Sequence, residues 1–399
     1  MEHSSPAPHL LNGLRQLLSN VQSKPKLAKS AKSANSGMKG LVCGETDLIG
    51  FYHNRVEYCG VDVGKLCDDG SFESVAWLLL NQRSADGEQL ADIYAILAES
   101  AVVDQPAADT ISSIPLQTRP LDLFPLCVSL LSCFDPTPCD CSLDASRSQF
   151  WRVLAQLPVL LHVAFGGKLD EGRVTTAGRD GALSYAGQLL QVLRQDESPP
   201  TPIEEHAMNA VMICECLTEM RPACFSARFF GSAVNDVVAG LKAASSMFVS
   251  QLRNDPFAWT SARLREFTSP ADAERWWLAR NPRTMPFGFK RTEKEYRAAL
   301  LKDQCRELLG GINEIVVESC ASRLETVLGE EDLHPTTDWA ASRVLTLLNV
   351  PEDRISLAIG IARMVGWAAQ TIEQHVSGIQ LLPSLRYADS ARSAEQAML

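Results

Sequence analysis

A single arginine, Arg363, lies in the most apolar stretch of the chain and is the first candidate for chemistry. If this stretch is a helix, the neighbours three and four residues away are Ile359, Gly360, Gly366 and Trp367, and none of them carries a charge. Burying a guanidinium without a partner costs several kcal/mol. The sequence therefore predicts that Arg363 meets either a carboxylate from another part of the fold or a bound anion.

An aspartate, Asp338, stands at the start of the helical pattern HPTTDWAASRVLTLL. Aspartate at that place is typical of a helix N-cap, where its carboxylate accepts a hydrogen bond from a free backbone N–H group. The same carboxylate could also act as a general base. Both interpretations stay open from the sequence.

A basic run, FKRTEKEYRAALLK, occupies residues 289–302 of an otherwise acidic protein, and glutamates dilute it. It is either a solvated helix face or a site for phosphate or polyphosphate. Its cationic residues are Lys290, Arg291, Lys294, Arg297 and Lys302.

Familiar nucleophile, metal and nucleotide motifs are absent from the sequence. It contains no GxSxG, no HExxH, no P-loop and no dinucleotide-binding glycine pattern after a strand. The seven histidines form no pair at ligand spacing, and the twelve cysteines form no CxxC pair. We therefore expect reduced, buried thiols and no metal site.

The elements that would position these residues are mainly helical. Residues 1–38 are predicted to be a disordered basic tail, and strand and turn signals follow Gly40. The next segment, SFESVAWLLLNQ, begins with a capping pattern at Ser71. Later helical patterns predict about ten helices and an all-α fold with one small β element. They cover residues 85–103, 119–134, 147–165, 180–195, 204–220, 227–252, 271–280, 293–328, 338–349 and 352–376.

Composition excludes two classes of partner. The 399 residues carry a net charge of −11, and the basic tail hides an even more acidic remainder. Such a balance argues against a nucleic-acid-binding protein. Apolar runs are short or interrupted by charge, as at Arg363, so no membrane span of about 18 residues is expected. Because the first ten residues do not form a signal peptide, we expect a cytoplasmic protein.

Four segments, in order, resemble the citrate synthase family, especially its bacterial citrate and 2-methylcitrate synthase branch. They are GLVCGETDLIGFYHNRVEYCG with the helix after it, RPLDLFPLCVSLLSCFDP, HPTTDWAASRVL and IARMVGWAAQTIEQ. The resemblance runs from about residue 40 to 388. It implies a homodimer in which residues 39–245 and 346–399 form a large helical domain and residues 246–345 a small one.

The resemblance also implies roles for particular residues. Asp338 corresponds to the family's catalytic aspartate, whereas Arg363 and Arg297 correspond to arginines that bind the carboxylates of the 2-oxo acid substrate. Glu219 corresponds to the glutamate of the family's His-Ala-Asp-His-Glu segment and is assigned to substrate binding. Lys290 and Arg291 are the candidates for binding the polyanionic coenzyme A. Beyond acyl-CoA as substrate or ligand, no cofactor is implied.

The sequence departs from the family where the family has histidines. Thr218, Val249 and Phe289 occupy the three positions at which the family places catalytic histidines. None of these side chains exchanges a proton near neutral pH. We therefore expect a degenerate site that does not run the ordinary condensation but retains acyl-CoA or carboxylate binding. The alternative is an active, divergent acyltransferase that uses Asp338 as base with partners such as Glu215, Glu219 or Lys290.

Overall fold

A computed structural model describes residues 38, 40–169, 183–196, 198–218, 220–280, 287–291, 294–309 and 315–384. The predicted tail, residues 1–38, lies outside the described residues except for Met38. Residues 1–45 and 46–399 form two separate units. Every helix and strand given below belongs to the second unit.

The described residues contain sixteen helices and five short strands, which confirms the all-α prediction. The strands are β1 Ile49–Tyr52, β2 Arg55–Tyr58, β3 Val61–Asp62, β4 Phe289–Lys290 and β5 His334–Pro335. The helices are α1 Val63–Asp69, α2 Phe72–Asn81, α3 Gly87–Ser100, α4 Gln105–Ser112, α5 Pro120–Ser132, α6 Leu143–Ala164, α7 Tyr185–Arg194, α8 Pro202–Glu215, α9 Pro222–Ala233, α10 Val237–Gln251, α11 Pro256–Glu266, α12 Pro270–Leu278, α13 Tyr296–Leu308, α14 Ile315–Gly329, α15 Thr337–Leu347 and α16 Glu352–Ser377.

The small β element forms as the sequence predicts. Strands β1, β2 and β3 make an antiparallel sheet in that order, with Ile49 opposite Tyr58. A second pair, β4 and β5, was not predicted and places Phe289 opposite Pro335. This short ladder ends directly before α15 and so fixes where that helix begins.

Side-chain caps define several helix starts. Ser71 and Ser74 form a reciprocal capping box at α2, which confirms the prediction for that segment. Thr201 and Glu204 do the same at α8. The carboxylate of Glu204 also binds Arg194 of α7 at 2.5 Å, so this helix start is tied to its neighbour.

Helix α16 is the central element of the core. It is long and apolar enough to cross a membrane by length and composition, although no such run was expected from the sequence. The whole of its most apolar stretch is buried inside the protein, where α5, α9, α10 and α11 pack around it.

At Gly366 the backbone N–H of α16 donates to the carbonyl of Cys216 at 3.0 Å. A Cβ at position 366 would lie 2.2 Å from that oxygen, so the approach requires glycine.

The number of helices differs from the sequence expectation of about ten. The pattern at 227–252 is two helices, α9 and α10, because Asp236 caps the start of the second one. The pattern at 293–328 likewise divides into α13 and α14. Helices α1, α4 and α11 were missed because they are short or lack a strong apolar period. Among the described residues, several helices are therefore shorter than the amphipathic patterns predicted.

A cluster of buried charges as the candidate active site

Arg363 of α16 lies within a buried ion-pair cluster. Its Nε and Nη2 atoms donate to Oε2 of Glu215 at 3.1 and 2.6 Å, and Nη2 also donates to Oδ1 of Asp338 at 2.7 Å. Glu215 is the last residue of α8, and Asp338 lies in the first turn of α15. Three helices thus bring one cation and two carboxylates together. The counter-charge that the sequence required for Arg363 is a pair of carboxylates.

Asp338 is not the N-cap of α15, although the sequence left that interpretation open. The cap position is Thr336, which makes no side-chain capping bond. Instead, the carboxylate of Glu295 accepts hydrogen bonds from the backbone N–H and the hydroxyl of Thr337, at 2.5 and 2.7 Å. Because Glu295 binds the helix start, both oxygens of Asp338 are directed to arginines.

The second arginine at Asp338 is Arg221, which sequence reasoning missed. Its Nη1 donates to Oδ2 of Asp338 at 3.0 Å. Arg221 immediately precedes Pro222 at the start of α9, and 43% of its side chain is exposed. In the sequence, only the position of Arg221 directly before the proline that begins α9 could have drawn attention to it. We call Glu215, Asp338, Arg221 and Arg363 the Asp338 cluster.

The charges in the Asp338 cluster decide the protonation of Asp338. Burial alone would raise the pKa of this carboxyl, but the positive charges of Arg363 and Arg221 outweigh burial and lower it. Burial would likewise lower the pKa of Arg363, yet Glu215 and Asp338 raise it. Asp338 is therefore an ionised carboxylate that accepts hydrogen bonds from two cations, which makes it a weak base.

The cluster is also incompletely satisfied. Oε1 of Glu215 is buried and has no hydrogen-bond partner among the described residues. The Arg363 guanidinium lies 5.4 Å from the centre of the Phe248 ring, on the side that α10 provides. The cluster therefore combines Arg363, which pairs with two carboxylates, with one buried oxygen of Glu215 that accepts no hydrogen bond among the described residues.

Arg297, the other predicted substrate arginine, lies close to Glu215 but makes hydrogen bonds of its own. It is buried in α13, and its Nη1 donates to the carbonyls of Cys214 and Leu217 at 2.9 and 2.6 Å and to the Tyr58 hydroxyl at 3.3 Å. These carbonyls lie at the C-terminal end of α8. Arg297 thus stabilises that helix end, one residue away from Glu215, and the structure does not bring it into contact with Asp338.

The three positions assigned to the family's histidines are described, and they differ in surroundings. Thr218 is buried, with its hydroxyl 3.5 Å from the Cys224 sulfur. Val249 is half-buried on α10 against the core. Phe289 is buried with its ring centre 4.7 Å from that of Trp339.

The predicted coenzyme A residues make contacts within the protein. Lys290 forms an ion pair with Glu295, and Arg291 donates to the carbonyl of Glu331 at 3.0 Å. Glu219, the predicted substrate-binding glutamate, lies outside the described residues. The structure therefore brings Asp338 and Arg363 together. The hydrogen bonds and ion pairs of the other predicted cations go to other groups of the described residues; these cations are Lys290, Arg291 and Arg297.

Comparison with known proteins identifies the family. The family profile described as citrate synthase, C-terminal domain, matches residues 37–382. Citrate synthase 2 of Bacillus subtilis is 25% identical over 361 residues, which cover 89% of this chain and 96% of the relative. 2-Methylcitrate synthase 1 of Corynebacterium glutamicum is 23% identical and covers 90% of this chain and 96% of the relative.

Solved structures agree on the fold. The citrate synthase of Thermoplasma acidophilum, in a ternary complex with carboxymethyl coenzyme A and oxaloacetate, superposes with a TM-score of 0.76. It is 17% identical and covers 91% of this chain and 100% of its own. The predicted citrate synthase fold is confirmed, and the chain belongs to the citrate synthase family.

Proposed function

We propose that this protein is a citrate-synthase-fold protein that does not run the ordinary condensation of acyl-CoA with a 2-oxo acid. In this proposal it is a homodimeric, cytoplasmic protein that retains binding of a carboxylate or an acyl-CoA. The carrying observation is that Asp338, the family's catalytic aspartate by resemblance, accepts hydrogen bonds from both Arg221 and Arg363.

Abstracting a proton from the carbon next to a thioester carbonyl requires a base with a raised proton affinity. The pKa of Asp338 is lowered instead. Enolisation also requires a group that stabilises the developing oxyanion. By resemblance, Thr218, Val249 and Phe289 occupy the positions of the histidines that would do this, which supports the loss of the ordinary reaction.

The arginine assigned to substrate is already neutralised. Arg363 binds Glu215 and Asp338, so a substrate carboxylate would have to replace a buried protein carboxylate. Such an exchange leaves the displaced charge without its partner, which costs several kcal/mol. Tight binding of a dicarboxylate through Arg363 is therefore disfavoured, and the half-exposed Arg221 is the cation that a ligand could reach.

A second candidate function is a divergent acyltransferase that uses Asp338 as base. The observation that favours it is the exposure of Arg221. If an anionic substrate draws Arg221 away, Asp338 loses one of its two cations and its pKa rises. Substrate binding would then create the base that the unliganded protein lacks.

Product formation distinguishes the two functions. The full chain is incubated with oxaloacetate and either acetyl-CoA or propionyl-CoA, and citrate or methylcitrate is measured by mass spectrometry. Direct detection is needed because exposed cysteines such as Cys133 and Cys139 react with the thiol reagents that report free coenzyme A. We expect the wild type, Asp338→Asn and a protein-free control to give the same background.

Product above that background which disappears in Asp338→Asn would replace the first proposal by the second. Arg275→Gln is the matched control, because Arg275 is an exposed surface residue that pairs with Asp272. Calorimetric titration of the wild type with acetyl-CoA and with oxaloacetate tests retained binding. Absence of heat with both ligands would contradict the binding part of the proposal.

A further inference from the structure

A second cationic site lies at the N-terminal ends of α5 and α16, away from the contacts of the Asp338 cluster. A cavity of about 420 Å³ opens there, a size typical of small-ligand pockets. The helix ends, the segment before α5 and the residues after α6 and α7 line it. The lining residues that carry the argument are Gln117, Arg119, Phe165, Gln195, Asp353 and Arg354.

Arg354 is the central cation of this cavity, which we call the Arg354 cavity. Its Nη1 donates to the carbonyl of Leu193 at 2.7 Å, and its Nη2 donates to the side-chain oxygen of Gln195 at 2.6 Å. The guanidinium lies 4.1 Å from the centre of the Phe165 ring. Its Nε is buried without a hydrogen-bond partner among the described residues. The groups that hold Arg354 by hydrogen bonds are neutral, and no carboxylate of the described residues forms an ion pair with it.

Other buried arginines differ from Arg354 in this respect. Arg343 and Arg363 each bind two carboxylates, and these charges raise the pKa of both guanidinium groups despite burial. Burial lowers the pKa of Arg354, and the charge of Asp353 opposes this shift only in part. Asp353 is exposed to solvent, which weakens its interaction with Arg354. A partly buried cation without a carboxylate in hydrogen-bond contact is the environment that an anionic ligand would complete.

Two further features favour an anion in the Arg354 cavity. The helices α5 and α16 both begin at its wall, and neither has a side-chain cap. Helix N-termini carry partial positive charge and free N–H groups. Arg119 adds a second guanidinium that binds Asp122 at 3.0 and 2.7 Å, while its Nη1 reaches the carbonyl of Leu252 only at 3.5 Å. That Nη1 has capacity for a stronger partner.

We propose that the Arg354 cavity binds a small hydroxylated oxyanion, either a sugar phosphate or a hydroxy acid, at a site separate from the Asp338 cluster. The oxyanion lies between Arg354 and Arg119. A hydroxyl of the ligand donates to Asp353, which lines the same cavity. Inorganic phosphate lacks the carbon-borne hydroxyls and the size to fill the cavity, so it binds more weakly.

Calorimetric titration of the full chain tests this site with three probes: ribose 5-phosphate, gluconate and inorganic phosphate. Potassium chloride at matched ionic strength is the control for screening. We expect one of the two hydroxylated probes to bind at least tenfold more tightly than inorganic phosphate. The probe that binds identifies the source of the oxyanion as phosphate or carboxylate.

Variants locate the binding. Arg354→Gln and Arg119→Gln are each expected to weaken the bound probe about tenfold or more, because each removes a charge-assisted hydrogen bond. Circular dichroism checks their folding, and Arg119→Gln retains the test if Arg354→Gln does not fold. Arg275→Gln, an exposed surface variant, is expected to bind like the wild type.

Three results would overturn the proposal. The first is no binding of either hydroxylated probe beyond the potassium chloride control. The second is binding that neither Arg119→Gln nor Arg354→Gln changes. The third is binding of inorganic phosphate that equals that of both hydroxylated probes.

Discussion

Two buried arginines, Arg343 of α15 and Arg363 of α16, have the same chemistry and different surroundings. Arg343 binds Glu318 and Glu325, and its side chain is 1% exposed. Arg363 binds Glu215 and Asp338 and is also buried, at 5%. The difference lies in the outer partners of the carboxylates.

In the Arg343 cluster, both oxygens of Glu318 and both oxygens of Glu325 accept hydrogen bonds. Glu325 also binds Lys302 and accepts a hydrogen bond from the indole of Trp339, at 2.6 and 2.9 Å. Burial alone would raise the pKa of Glu325, but the charges of Arg343 and Lys302 outweigh it and lower the pKa. All of these partners belong to α13, α14 and α15. The arrangement stabilises the packing of neighbouring helices.

The Asp338 cluster joins α8, α15 and α16 and ends at the half-exposed Arg221. It also contains the unsatisfied Oε1 atom of Glu215. Similar ion pairs can therefore stabilise helix packing in one place and keep an unused hydrogen-bond acceptor in another. Both clusters end at a partly exposed cation, Lys302 at 38% and Arg221 at 43%, so the unsatisfied oxygen of Glu215 is what separates the two cases.

The largest effect is expected from Arg343→Met. The change leaves Glu318 and Glu325 buried with one remaining cation, Lys302, and should reduce the free energy of unfolding by about 4 kcal/mol. Urea denaturation measured by circular dichroism checks this value. The exposed pair Arg306 and Asp303 provides the control, and Arg306→Met should change stability by less than about 1 kcal/mol.

Arg363→Met should destabilise less, by about 3 kcal/mol, because Arg363 donates three hydrogen bonds and Arg343 donates four. The same urea measurement applies. If Arg363→Met lowered the free energy of unfolding more than Arg343→Met, the Asp338 cluster would contribute more to stability than the Arg343 cluster. The comparison would then be reversed.

Arg221→Gln tests the contribution of the half-exposed cation of the Asp338 cluster. Because Arg221 is half-exposed, its loss should cost about 1 kcal/mol or less at neutral pH. The main change is in pH dependence. Removing this cation raises the pKa of Asp338 towards the ordinary carboxyl value of 3.8.

The pKa of Asp338 is lower in the folded wild type than in the unfolded chain. Its ionised form therefore contributes stability that is fully present above the unfolded value of 3.8 and is lost as the pH falls through the folded value. In Arg221→Gln this loss should be smaller and should be complete at a higher pH, because the folded pKa lies closer to 3.8, and in Asp338→Asn this component should be missing. Urea denaturation of all three proteins across acidic pH measures the difference. Superimposable pH profiles for wild type and Arg221→Gln would contradict the role of Arg221.

The smallest effect is expected from Lys290→Gln. Lys290 is partly exposed and pairs with Glu295, whose carboxylate binds the start of α15. Its loss should cost about 0.5 kcal/mol, because the hydrogen bonds from Thr337 to Glu295 remain. Thermal unfolding is sensitive enough to measure this. A loss as large as that of Arg363→Met would show that Lys290 controls the position of Asp338.

The sequence allowed the helical character and the need for a counter-charge to be predicted from local patterns. The cap at Ser71 and the isolation of Arg363 are both properties of neighbours along the chain. The identity of the partners could not be predicted, because Glu215 lies 148 residues before Arg363. Arg221 carries almost no local signal, since only the tertiary fold brings it to Asp338. The division of 227–252 into α9 and α10 was missed because Asp236 interrupts the helix without a glycine or proline.

The contact between Gly366 and Cys216 has a consequence for the order of folding. Formation of the ion pair between Glu215 and Arg363 requires α8 and α16 to be in backbone contact, and this contact closes a loop of about 150 residues. Loops of that length close late, after the local helices have formed. We expect substitutions at Gly366 to accelerate unfolding more than they slow folding, since the contact is absent from an early transition state.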